Sequence, residues 1–193
     1  DILLSLDENG KIQAVLPYLL RERAWMKYIV MPQQTQIGGI WFADAAISKD
    51  ENKVADICRD FAQQLGDLRL SYYYQHYPIG SPAAEQMRVL GFKTKERVTY
   101  RIEDLSNLDK VIAAFSKNKK RQLQKALSLH AETNMNVEDF YRYHVQCLHN
   151  QGKQISYSRE FLLVLERKAR RLKQCQILSI CNADNEVLAA AFL

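Results

Sequence analysis

No stretch of this sequence stays apolar for the roughly 18 to 20 residues that a bilayer-spanning helix needs, and no basic-then-apolar leader precedes a small-residue cleavage site. Neither a membrane span nor a secretory leader is read here, so the expected location is the cytoplasm. Cysteine is scarce. Cys58, Cys147, Cys175 and Cys181 have neither the paired spacing of a zinc knuckle nor the density of a disulfide scaffold, and reduced structural thiols are expected. The four histidines, His76, His130, His144 and His149, fall in no nucleophile-elbow pattern. No Ser-His-Asp or Cys-His arrangement can be assembled from them, so no catalytic nucleophile is assigned. His144 and Cys147 lie three apart on an expected helix and suggest a ligand pair, but no further Cys or Asp stands near to complete it, and no metal is expected. An RNP aromatic motif and a GXXG loop are also absent, which disfavours sequence-specific RNA reading.

What remains is the composition of a globular chain with one or two cores: 193 residues, 47% apolar and 25% charged. The formal net charge of +5 admits an anionic partner such as nucleic acid, a nucleotide or an acidic lipid headgroup. Much of the excess lies in two runs, Lys117 to Lys125 and Arg167 to Lys173, which a helix can also carry as a solvated face. The chain opens at Asp1 without methionine and ends at Leu193 inside an apolar segment with no turn or cap, so a longer parent protein is expected.

Periodicity gives the elements. Ile2 to Leu6, Ile12 to Leu20 and Tyr28 to Met31 read as strands, the first two joined by the turn Asp7-Glu-Asn-Gly10. Gly38-Gly39 closes a polar loop; the pair suits a turn better than a phosphate cradle, since no strand-to-helix junction is there. Val54, Ile57, Cys58, Phe61, Ala62 and Leu65 form one helical stripe that Gly66 is placed to end. Leu68 to Tyr74 alternates like a strand, Pro82 to Leu90 reads as a helix with Ser81 as cap and Gly91 behind it, and Val98 to Ile102 reads as a last strand. Beyond Glu103 to Asn107, helices are expected over 108–115, 118–129, 137–150 and 159–172, then a β-hairpin from Gln176 to Leu193 about the turn Asn182 to Asn185. The class is α/β (α+β).

The stretch Gly91 to Leu105 (GFKTKERVTYRIEDL), leading into Ser116 to Ala126 (SKNKKRQLQKA), resembles the FemAB-like branch of the GNAT (acyl-CoA N-acyltransferase fold) superfamily. Val137 to Phe140, Tyr157 to Leu162 and Ala189 to Phe192 are similar to its continuation. The resemblance implies tandem GNAT-like modules with mixed sheets and helices on their faces, residues 1–104 forming the first and 105–193 the N-terminal part of a second, truncated one. It implies an acyltransferase that passes an acyl or aminoacyl group to an amine in a cleft between the modules. Acyl-CoA or aminoacyl-tRNA would be the donor, and an anionic or peptidoglycan-precursor-like molecule the acceptor. The donor-binding phosphate loop would lie beyond Leu193. A homo-oligomer is compatible with the open edge strand that the C-terminal hairpin would leave.

Transfer to an amine needs a positioned carbonyl, an oxyanion donor and a route for the departing proton, not a side-chain nucleophile. Tyr74, in the cluster Tyr72-Tyr73-Tyr74 with His76 and Tyr77, is a candidate cleft residue, although core packing accounts for two of those tyrosines equally well. Tyr157 and Ser158 are candidates for an acid or substrate contact, against the reading of Ser158 as a helix cap. Lys119, Lys120 and Arg121 are candidates for an anion-contacting edge. Cations in the first turn of a helix oppose its dipole, and an anion would account for them, as would stems laid along the apolar stripe. The competing function is a non-catalytic anion- or RNA-binding module.

Overall fold

The structure, a computed structural model, describes all residues from Asp1 to Leu193. It is a mixed α/β protein of seven α-helices and three small sheets that divides into two compact units, Asp1–Val98 and Thr99–Leu193. The sequence placed this division between residues 104 and 105.

In the first unit, β1 (Ile2–Leu6) and β2 (Ile12–Pro17) form an antiparallel hairpin. Asp7 shapes its turn: the carboxylate accepts from the backbone N–H groups of Asn9 and Lys11, and Gly10 takes φ +77°. The expected strand over 12–20 is broken after Pro17. A proline supplies no N–H to a ladder, and the chain turns there into β3 (Leu19–Arg23), which pairs with β4 (Met26–Val30) in a second sheet. β5 (Trp41–Phe42) joins β2. The short α1 (Ala45–Lys49) is capped by Asp44, and α2 (Glu51–Asp67) by Asp50, whose carboxylate accepts from the N–H groups of Asn52 and Lys53.

Val54, Ile57, Cys58, Phe61 and Leu65 on α2 are buried against Ala14, Leu16 and Ile29 of the strands. This is the expected stripe, with Ala62 at its margin. Each large apolar side chain so buried contributes about 1.5 to 3 kcal/mol, which fixes α2 on the sheet face. From α2 the chain returns to β6 (Tyr72–Tyr73), which runs parallel to β4 with Tyr28 opposite Tyr72. The rest of the expected strand over 68–74 is not formed: Leu68 caps α2, and Arg69 takes φ +51° to redirect the chain. Finally α3 (Pro82–Val89) buries Ala83 and Met87, its start set by Pro82 and not by a Ser81 side-chain cap.

Val98 to Ile102 forms no strand, contrary to its alternation. Val98 and Tyr100 are 85% and 95% exposed, no neighbouring edge pairs with them, and Arg101 spends its guanidinium on Glu103. Alternation records fitness for a sheet, but the ladder still needs a second edge.

In the second unit, α4 (Leu108–Ala114) is capped by Asn107 and α5 (Lys117–Lys125) by Ser116, followed by a short 3-10 turn. The strand β7 (His130–Glu132), unexpected from sequence, pairs with β8 (Ile177–Cys181), which pairs in turn with β9 (Val187–Phe192). Between them, α6 (Val137–Asn150) and α7 (Arg159–Arg171) pack Phe140 and Leu162 with Tyr157 and Ile177 into a second core. Arg159 forks onto the Glu138 carboxylate and ties the starts of the two helices together. No helix is long and apolar enough to cross a membrane.

Candidate functional site

The aromatic run after α2 splits by side. Tyr73 and Tyr77 turn inward, their hydroxyls 3.2 Å apart and their rings against the first core. Desolvation raises both phenols, Tyr77 to about 12. Those two are the packing tyrosines. Tyr74 and His76 are paired instead, with Tyr74 Oη 2.7 Å from His76 Nε2 and the rings edge to face at 5.1 Å.

The partners of that pair set the direction of the hydrogen bonds for a neutral imidazole. His76 Nδ1 lies 3.1 Å from the Gln36 carbonyl oxygen, which can only accept, so Nδ1 carries a hydrogen and in the neutral ring Nε2 offers its lone pair. Tyr74 therefore donates its hydroxyl proton to Nε2. The tyrosine oxygen in turn accepts from Arg97 Nη2 at 2.8 Å. A chain of donation thus runs from Arg97 to Tyr74 to His76 to Gln36. Tyr74 and His76 are half-buried and Arg97 is exposed, so the hydroxyl is ordered yet reachable.

The polar loop ahead of β5 holds His76 in this orientation. His76 donates its backbone N–H to Met31 Sδ at 3.3 Å, and its carbonyl accepts from the Gly38 N–H at 2.7 Å. Gly39 donates to Gln75 Oε1 at 3.3 Å. The close approach requires glycine at position 39, while at position 38 an added carbon would meet only the movable end of the Gln75 side chain. A Cβ at Gly38 would lie 2.3 Å from Gln75 Oε1, and one at Gly39, which takes φ +84°, would lie 2.7 Å from the Tyr77 ring. Gly38-Gly39 is a docking loop for the segment carrying Tyr74 and His76.

The other expected site residues are placed differently. Tyr157 is buried in the second core with its hydroxyl 2.7 Å from His144 Nδ1, and burial followed by the neighbouring Tyr141 raises its pKa. Its ring packs with Phe140, Leu162 and Ile177, and its hydroxyl is engaged by His144. Ser158 accepts from the Phe161 N–H at 3.1 Å and is the cap of α7. His144, suggested as half of a ligand pair, is engaged by Tyr157, and no cluster of His, Cys, Asp and Glu could hold a metal ion.

Lys119 and Lys120 lie in the first turn of α5, which starts at Lys117 and not at Asn118. Lys120 has a partner within the fold: its amine donates to the Ala113 carbonyl at 2.7 Å, at the C-terminal and therefore negative end of α4. What looked misplaced relative to α5 is well placed relative to α4. Lys119 and Arg121 are exposed and form no ion pair.

Sequence reasoning passed over Arg97 and Gln36. Neither carries a local signal, because each becomes significant only when the chain brings residues 36, 74–76 and 97 together. Compared with known proteins, the chain matches no family model, no curated protein and no solved structure.

Proposed function

We propose that the protein is an N-acyltransferase of the GNAT/FemAB-like type, in which Tyr74 and His76 carry the proton released when an amine takes up an acyl or aminoacyl group. The observation that carries this reading is the ordered donation from Arg97 through Tyr74 to His76, ending on a backbone carbonyl that can only accept. Such a chain supplies the one thing that transfer to an amine requires of side chains, a route for a proton at a fixed place. The one mixed sheet, β3-β4-β6, with α2 crossing between the parallel strands β4 and β6, is compatible with the resemblance in the sequence.

In this reading the amine donates to the Tyr74 oxygen and attacks the donor carbonyl carbon. As the C–N bond forms, Tyr74 takes the amine proton and passes its own to His76 Nε2. The imidazolium so formed keeps its Nδ1–H on Gln36. The C–S bond of an acyl-CoA, or the ester C–O bond of an aminoacyl-tRNA, then breaks, and the proton returns from His76 through Tyr74 to the leaving sulfur or oxygen. Arg97 stabilises the negative charge that gathers on the tyrosine oxygen while its proton is in transit, and it is a cation within reach of an anionic acceptor.

The test is a transfer assay of the full-length protein with labelled acetyl-CoA and, separately, labelled aminoacyl-tRNA, against a panel of primary amines that includes amino sugars and peptidoglycan-precursor peptides. Amide product with one donor class is the expected result. No transfer from either donor to any amine contradicts the reading.

A further inference from the structure

Residues 38–42 and 76–82 lie together at one end and part at the other. They meet at Gly38, whose N–H donates to the His76 carbonyl at 2.7 Å, and at Gly39, which lies against the Tyr77 ring. Beyond that point the first segment joins β2 through β5, while the second carries Pro78, which has no N–H to offer a ladder. A turn closed by the Ser81 N–H on the Pro78 carbonyl at 3.1 Å, with Gly80 at φ +70°, leads it into α3 instead.

Where the segments part there is a cavity of about 390 Å³, toward the lower end of the ~300–1,000 Å³ that small-molecule sites occupy. It lies wholly within the first unit, and neither Tyr74 nor His76 lines it. Two of its lining side chains are large and apolar and are left uncovered by folding, Trp41 at 48% exposure and Ile79 at 83%. Its polar groups are largely unengaged. The Trp41 indole N–H and the Ser81 hydroxyl have no partner within the fold, and Ser81 stands at the start of α3 without capping it. Asp44 accepts from the Ile47 N–H at 2.9 Å with one carboxylate oxygen and leaves the other open.

The charge of the lining selects the ligand. Asp44 is the only charged side chain among the lining residues, so an anion is repelled even though the chain carries a net charge of +5. A cation is not well held either. The Asp44 charge is met in part by the helical N–H that it caps, and in part by the start of α3, where unpaired N–H groups and the dipole oppose a second positive group. No full charge of either sign is left over to hold an ion. A neutral ligand with an apolar face and a rim of both donors and acceptors meets no such opposition. A pyranose ring has that make-up: its C–H face lies on an indole, and its hydroxyls donate to a carboxylate and accept from hydroxyl and N–H groups.

We propose that this cavity is a carbohydrate subsite that takes one neutral pyranose ring, stacked on Trp41 with its hydroxyls on Asp44 and Ser81. The site goes beyond the transfer reading and does not depend on it.

The experiment titrates the full-length protein with the methyl glycosides of glucose, galactose, mannose and N-acetylglucosamine, followed by saturation-transfer NMR, with choline and inorganic phosphate as cationic and anionic probes. Saturable binding of at least one glycoside, tighter than that of either ion, is the expected result. Trp41→Ala should weaken it by roughly tenfold or more. Asp44→Asn, which keeps a capping oxygen for α1 and removes the charge, should weaken it by about tenfold. Trp25→Ala, in the exposed turn between β3 and β4 and outside the cavity, should leave it unchanged. Circular dichroism verifies the fold of each variant. No saturable binding of any glycoside, tighter binding of choline or phosphate, binding indifferent to Trp41→Ala, or an equal loss in Trp25→Ala would overturn the proposal.

Discussion

Tyr73, Tyr77 and Cys58 show what burial does to single groups. Each lies in the first core, and desolvation raises its pKa, Cys58 to about 11 and Tyr77 to about 12, with Tyr73 raised further. A folded-state pKa above the unfolded one means that the folded protein holds its proton longer. The associated stability is complete below the unfolded values, about 8.5 for the thiol and about 10 for the phenols, and is lost as pH rises from there through the folded ones, about 11 for Cys58 and about 12 for Tyr77. Alkaline titration followed by tyrosinate absorbance and circular dichroism should show the last phenols ionising together with the loss of ellipticity. If every tyrosine ionised near pH 10 with the ellipticity intact, the burial described for Tyr73 and Tyr77 would be wrong. The sequence marked the cluster from Tyr72 to Tyr77 as partly core and partly cleft. It could not say which member went where, because β6 is only two residues long and the alternation ends with it.

At the scale of elements, two glycines of opposite character separate helix propensity from loop geometry. Gly66 lies inside α2 with no atom within 4 Å of where a Cβ would stand, so Gly66→Ala should stabilise by about 0.5 to 1 kcal/mol. Gly39 combines φ +84° with the Tyr77 ring 2.7 Å from the added carbon, so Gly39→Ala should destabilise by about 1 to 3 kcal/mol. Urea denaturation distinguishes them: opposite shifts of the midpoint at constant slope are expected, and shifts of the same sign would contradict this account of the two positions. Six of the seven helices were legible because their signals are local, and the five-residue α1 was not. The stripe on α2 and Ser158 ahead of α7 both lie within a turn or two of what they determine. The strands were less so. Val98 to Ile102 has strand chemistry without an edge to join, while β7 is a three-residue strand that exists only because β8 comes alongside.

Across the whole molecule, what escaped the sequence is what depends on distant pairings. The two-unit organisation was visible in the change from strand-rich to helix-rich patterning, but contacts place the division at Val98/Thr99 and not at 104/105. The parallel match of Tyr28 with Tyr72 joins residues separated by the whole of α1 and α2. The candidate site has the same character, since Gln36, Tyr74, His76 and Arg97 come from three separate segments. No motif search would group them. Their alignment matters for function only if the Tyr74 hydroxyl carries a proton during transfer. The measurement that tests this most directly is steady-state transfer to an amine by Tyr74→Phe, which keeps the ring and its packing but removes the hydroxyl. A fall in kcat on the order of a hundredfold or more, with KM for donor and acceptor little changed, is the expected result. A kcat equal to that of the unaltered protein would contradict it.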